Sequence, residues 1–116
     1  MYFSKKEKNI VKPFFDYIAQ KRQSGEQYNM KWKNGTDVYA KIISIEDDDN
    51  DLDFCDEEYE EFWSVVILIE KLKFFNPLDG LKEDWLNEGE LFDFNYHDFP
   101  YEIYNSKGEL ISKREI

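Results

Sequence analysis

The sequence predicts an α+β domain: one N-terminal helix packed on a mostly antiparallel sheet of about five to six strands. Three observations carry that expectation. Apolar residues recur at helical spacing only near the N-terminus. Downstream, short β-branched and aromatic runs alternate with polar residues. Turn sequences such as Asn34-Gly35 and Asn105-Ser106-Lys107-Gly108 separate pairs of those runs.

At 116 residues the chain is read as a single domain, residues 1–116. Ten Phe, eight Tyr and three Trp supply much of the core, because each buried ring removes a large apolar area from water. The helix is expected first. Ser4 and Glu7 match a capping box. Ile10, Phe14, Tyr17 and Ile18 then recur between Lys8, Lys12, Lys21 and Arg22. Pro13 removes a backbone donor and clashes one turn back. Two forms fit: a kinked helix from about residue 4, or a short turn and then a helix from about residue 10, capped by Asn9 with Pro13 in its first turn. Ser24-Gly25 closes it.

A hairpin follows. Tyr28, Met30 and Trp32 alternate with Asn29, Lys31 and Lys33. Asn34-Gly35 suits a type I′ turn, which needs positive φ at both positions. The return strand spans Thr36 to Ile45. Phe62 to Ile69 is a continuous apolar run whose Val65, Val66, Ile67 and Ile69 favour strand over helix. Apolar residues on both of its pleat faces predict a central strand covered on each side, one cover being the helix and the other a loop or another protein, and leave a homodimer open. Asn76-Pro77 and Asp79-Gly80 are turn signals, and Leu81 to Leu86 reads as a single helical turn. Glu90 to Tyr96 alternates as a strand with Leu91 opposed to Phe92 and Phe94. Tyr101 to Tyr104 and Glu109 to Ser112 form a last hairpin, with Gly108 in the left-handed position.

Charge is the most informative feature for function. Eleven acids and no base fall within residues 46–61. The chain holds 26 acids and 15 bases, so outside this stretch 15 acids face 15 bases. The net charge of −11 is therefore one local feature, expected on the connection between the second and third strands. Concentrated like charge raises self-repulsion, which solvation, a bound cation or a basic partner must offset. Residues 1–33 carry eight bases against three acids, the one basic region on a strongly acidic chain, so no nucleic-acid partner is expected.

Asp47, Asp49, Asp51, Asp53 and Glu58 fall at positions 1, 3, 5, 7 and 12 of an EF-hand-like loop, but Leu52 stands where the sharp turn needs glycine. Cys55 is the only cysteine, which excludes an intramolecular disulfide and a cysteine zinc site. Amid carboxylates its thiol should be harder to ionise. His97 is the only histidine, and Asp98 beside it offers an orienting carboxylate. No glycine-rich phosphate loop, nucleophile elbow or histidine pair is present, so neither a cofactor nor catalysis is expected. A sugar-binding module would use exposed aromatics. Residues 1–8 lack the apolar core of a secretory signal, and Phe62–Ile69 is too short to span a bilayer as a helix. A cytoplasmic protein without membrane contact is the expectation.

Asn95-Tyr96-His97-Asp98-Phe99-Pro100 leading into Glu102 to Ile111 resembles the C-terminal part of small immunity proteins of bacterial toxin systems. Asp56-Glu57-Glu58-Tyr59-Glu60-Glu61-Phe62 running into an apolar strand resembles them too, and the likeness covers about half the chain. That resemblance implies a small, acidic, cytosolic α+β protein that binds a cognate toxin domain, often a nuclease, and blocks its active site or its access to substrate. The expected function is a non-enzymatic inhibitor of a basic toxin or nuclease domain. Asp47, Asp48, Asp49, Asp51, Asp53, Asp56, Glu57 and Glu58 would supply steering and charge pairing. Tyr59, Phe62 and Trp63 would supply anchoring contacts. Alternatives are a phage-encoded nucleic-acid mimic that inhibits a host defence protein, and a calcium-binding module.

Overall fold

The structure, a computed structural model, describes residues 5–20, 25–33, 35–53, 55–74 and 87–114. It has the expected α+β architecture. Helix α1 (Lys5–Gln20) packs on a sheet of β1 (Gln27–Lys31), β2 (Asp37–Asp49), β3 (Glu61–Phe74), β4 (Leu91–Phe94), β5 (Glu102–Tyr104) and β6 (Leu110–Lys113). The strand order is β4-β3-β2-β1-β5-β6, and every neighbouring pair is antiparallel. The turn and helix signals at residues 76–86 lie outside the described residues.

Of the two forms open for α1, one helix running through Pro13 is the one observed. An interior proline costs about 3 kcal/mol. Against this, Val11, Phe14 and Phe15 are all buried on one stripe, with Ile10, Tyr17 and Ile18 flanking them. Each such burial is worth roughly 1.5–3 kcal/mol, so the stripe outweighs the proline, whose ring lies on the exposed side. Glu7 adds a polar anchor. It is 1% exposed, and its carboxylate accepts the Trp63 backbone N–H at 3.0 Å. The need for that acceptor is topological. β4 ends at Phe94, opposite Val65, so it gives β3 no pairing partner before Val65. An unmet buried donor there would be costly. Ser4, the other half of the expected capping box, lies outside the described residues.

The helix covers the sheet face that carries Tyr28, Met30, Val38, Ala40, Val65, Ile67 and Ile103, with Phe92 and Phe94 at its β4 margin. Aromatic edges fill this layer: Phe14 meets Tyr28 at 5.5 Å and Phe99 at 6.1 Å between ring centres. β4 and β5 run in the same direction, so the chain must return from the end of one to the start of the other. Residues 95–101 make that return. Phe99 and Pro100 are buried, and the Trp32 indole N–H donates to the Asp98 carbonyl at 2.6 Å. Trp32, just after β1, also meets Phe92 and Phe94 on β4, three strands away. Strands sit about 4.8 Å apart, so this contact reflects a twisted, curled sheet. Three register shifts along β2–β3 supply the bending.

Several boundaries differ from the sequence expectation. β1 ends at Lys31, and its turn spans Trp32 to Thr36, closed by Trp32 N–H to Thr36 O at 2.8 Å. Gly35 is at φ 97°, while Asn34 lies outside the described residues. The largest difference is in β2, which continues past Ile45 to Asp49. Among the described residues the second layer lies on one face of β3 only, the face under α1. Its outer-face Val66 and Leu68 are only half-buried, and no second layer covers them among the described residues. Leu91, 62% exposed, does point away from the core that takes Phe92 and Phe94.

Two predictions follow from this packing. Phe14→Ala should cost about 3–5 kcal/mol, and Glu7→Ala about 1–3 kcal/mol because the Trp63 N–H loses its acceptor. Glu7→Gln, which keeps an acceptor oxygen, should cost less. Urea midpoints at constant m-value read both, and an unmoved midpoint for Glu7→Ala would show that the carboxylate anchors nothing. The second concerns alkali. Burial raises the ionisation of Tyr28, with Glu26 and Tyr17 adding to it. Burial also raises that of Tyr96, with its hydrogen bond to Glu60 second. Unfolded tyrosine ionises near pH 10, so above about that pH the unfolded state releases protons first and stability falls. The tyrosinate absorbance should show a delayed step that coincides with loss of far-UV circular dichroism. Complete titration of all tyrosines in a still-folded chain would contradict it.

Candidate partner interface

The acidic stretch is part strand and part loop. Glu46, Asp47, Asp48 and Asp49 form the last four residues of β2, paired with Ser64, Trp63, Phe62 and Glu61. Expected as part of a connection, they instead extend the ladder. The physical reason is the opposite strand, which presents Ser64, Trp63 and Phe62 to Glu46, Asp47 and Asp48 and so adds no like charge across those pairs. Like charges face each other only at Asp49 and Glu61.

The loop from Asn50 to Glu60 is held by its own acids. Asp48 Oδ1 accepts the Asp49 N–H, Asp49 Oδ1 the Asp51 N–H, Asp53 Oδ1 the Cys55 N–H and Asp56 Oδ1 the Glu58 N–H, all at 2.8–2.9 Å. Asn50 closes the neck. Its N–H donates to Glu60 O, its Nδ2 to Glu58 O, and its Oδ1 accepts the Glu60 N–H. Asp51 sits at φ 63°, a left-handed conformation that short polar side chains tolerate. These aspartates repel one another, yet they supply the acceptors that order the backbone between them.

The base of the arm is clamped. Glu60 Oε1 accepts the Tyr96 hydroxyl and sits 2.7 Å from His97 Nε2. The Tyr96 and His97 rings stack 4.1 Å apart, and Phe62 meets both edge-on. His97 therefore pairs with Glu60. Asp98, the expected orienting partner, instead accepts the Asn95 N–H.

The positions of the expected interface residues divide into two groups. Asp47, Asp48, Asp51, Asp53, Asp56, Glu57 and Glu58 are exposed, and Asp49 is half-exposed. Among the described residues, no ion pair engages any acid between 46 and 58. The anchors divide differently. Tyr59 is half-buried and donates to Glu61 at 2.8 Å, a bond that pushes its ionisation up to about 12. Trp63 is half-buried against the core. Phe62, expected as a surface anchor, is 7% exposed and belongs to the core, because the Asn95–Asp98 turn folds over it. Its contribution is to hold the arm.

Other residues complete the surface. Glu46, Asp47, Asp48 and Asp93 border an open groove of about 360 Å³ whose apolar part is Val66, Leu91 and Phe92. Ser64 Oγ donates to Asp48 Oδ2 at 3.1 Å along it. Asp93 and Leu91 were not among the expected residues. Their signal was the alternation with buried Phe92 and Phe94, which turns both onto the outer face beside β3. The EF-hand-like acids do not converge: among the described residues, no group of three or more His, Cys, Asp or Glu is placed to hold a metal ion. No helix among them is long and apolar enough to cross a membrane.

If the loop aspartates act as acceptors, asparagine should replace them and alanine should not. Asp49→Asn, Asp53→Asn and Asp56→Asn together should keep the amide NMR dispersion of residues 50–60. The alanine set should lose it, at about 0.5–1.5 kcal/mol per contact. Equal spectra from the two sets would remove the acceptor role.

No protein-family model matches the chain, and neither a curated protein nor a solved structure is found to be similar to it.

Proposed function

We propose that this protein is a non-enzymatic inhibitor that engages a basic protein through the β2–β3 arm, in the manner of an immunity protein bound to a toxin or nuclease domain in the cytoplasm. One observation supports this reading above the others. The chain's whole charge excess sits on a hairpin whose described backbone is bridged by side-chain hydrogen bonds and whose carboxylates between 46 and 58 have no basic partner among the described residues. A loop that served only solubility would need no clamp, whereas this one is fixed through Asn50, Glu60 and Phe62.

The chemistry is that of a fixed polyanion. Side chains on one face of a strand repeat about every 6.8 Å, so Asp47 and Asp49 present an ordered pair rather than a diffuse cloud. A basic groove built for phosphates would find its charges matched at short range. Carboxylates already held in place lose little freedom on binding. At longer range the −11 charge steers encounter and gives it a salt dependence. The apolar floor at Val66 and Leu91 would take the aliphatic stem of a lysine or arginine whose head pairs with the bordering acids.

The test is capture from lysate and neighbouring gene products, followed by kinetics on the captured protein. Wild type should retain a basic protein whose association slows with salt. Changing Asp47, Asp49, Asp51 and Asp53 together to Asn should lower the association rate by about tenfold or more with the dissociation rate less affected. An unchanged association rate would sink the steering role of the arm.

A further inference from the structure

The sheet face turned away from α1 carries a second groove, remote in chemistry from the acidic arm. Along β1 the inward residues are Tyr28 and Met30, which leaves Gln27, Asn29 and Lys31 on the outer face. Asn29 lies directly between Tyr39 on β2 and Tyr104 on β5. A groove of about 300 Å³ runs along this row, with Gln27, Lys31 and Ser106 completing it.

The groups offered there are specific. Asn29 Nδ2 donates to Asp37 Oδ1 and Val38 O, and Gln27 Nε2 donates to Glu70 Oε1. With both amide nitrogens engaged, the amide oxygens remain as acceptors. Neither tyrosine is in the core. Each lies under a lysine ammonium 5.3 Å from its ring centre: Lys31 over Tyr104, Lys73 over Tyr39. Polar groups therefore already reach those ring faces. Exposed contacts of this kind are weak and readily exchanged.

Charge selects the ligand class. Lys31 has Asp37 and Glu102 as cross-strand neighbours, and Lys41 pairs with Glu70 at 3.5 Å. Lys31, the cation that lines the groove, is thus offset by carboxylates, so a polyanion gains little there. An uncharged ligand that has hydroxyls and an apolar ring face meets every group on offer.

We propose that the Tyr39–Asn29–Tyr104 row binds a neutral oligosaccharide. The C–H face of a pyranose packs on a tyrosine ring, its hydroxyls donate to Asn29 Oδ1 and Gln27 Oε1, and another accepts from the Lys31 ammonium. Two strand spacings, about 9.5 Å, separate the tyrosines, so the two rings address different sugar residues of one chain. This site is independent of the arm, and its failure would leave the inhibitor reading untouched.

The test titrates the full chain with cellohexaose, chitohexaose, maltohexaose and xylohexaose, read by backbone amide NMR. One of them should saturate with shifts at Asn29, Tyr39 and Tyr104. Tyr104→Ala should weaken it by about tenfold, while Tyr104→Phe keeps the ring and most of the affinity. If Tyr104→Ala loses its dispersed spectrum, Lys31→Ala carries the comparison and should also weaken binding. The proposal is overturned if no saccharide moves these amides, or if a folded Tyr104→Ala binds as wild type. It is equally overturned if single-stranded oligothymidylate occupies the groove in place of any sugar.

Discussion

The long pairing of β2 with β3 is the constraint on which the rest of the molecule depends. Its inner half is ordinary core, with Val38, Ala40, Ile67 and Ile69 under the helix. Its outer half runs on to Asp49 and Glu61, past the end of β4. That overhang creates an open edge, and the protein closes it with side chains. Glu7 reaches from α1 to the Trp63 N–H, and Tyr96 and His97 reach from the turn after β4 to Glu60. Helix position, the path of the 95–101 return and the direction of the arm are all tied to this one edge.

The electrostatic arrangement follows from the same geometry. Eleven carboxylates in sixteen residues would favour an unfolded segment if the backbone had no other support. Support comes from two sources. Aromatic packing around Phe62 holds the base, and aspartate-to-amide bonds hold the loop. The repulsion that remains is spread over an exposed, well-hydrated surface, where each pair at 4 Å costs about 1 kcal/mol. The basic partner proposed above would convert that residual repulsion into attraction.

The fold was largely legible in the sequence because its signals are local. Helical spacing marked α1, β-branched content marked β3, and Gly108, at φ 81°, marked the last turn. Alternation placed Leu91 against Phe92 and Phe94. What escaped depended on distant partners. Nothing local shows that Glu46 to Asp49 stay in strand, since acids are poor strand formers and only the opposite strand rescues them. Phe62 read as a surface anchor because its burial comes from His97 and Tyr96, more than thirty residues away. Alternation put Asp93 on the outer face, but only the sheet order sets β4 beside β3 and so brings it to the acidic groove. The row of Tyr39, Asn29 and Tyr104 spans three strands and has no sequence signature at all.

Native-state hydrogen exchange at low ionic strength, where repulsion is greatest, separates an acidic arm held in the sheet from a solvated tail. The account predicts that ladder amides in Glu46–Asp49 and Glu61–Ser64 exchange far more slowly than unfolded peptide, with the Trp63 amide among the most protected of them. Exchange of this whole segment at unfolded rates, while Ile67 and Ile69 stay protected, would contradict it.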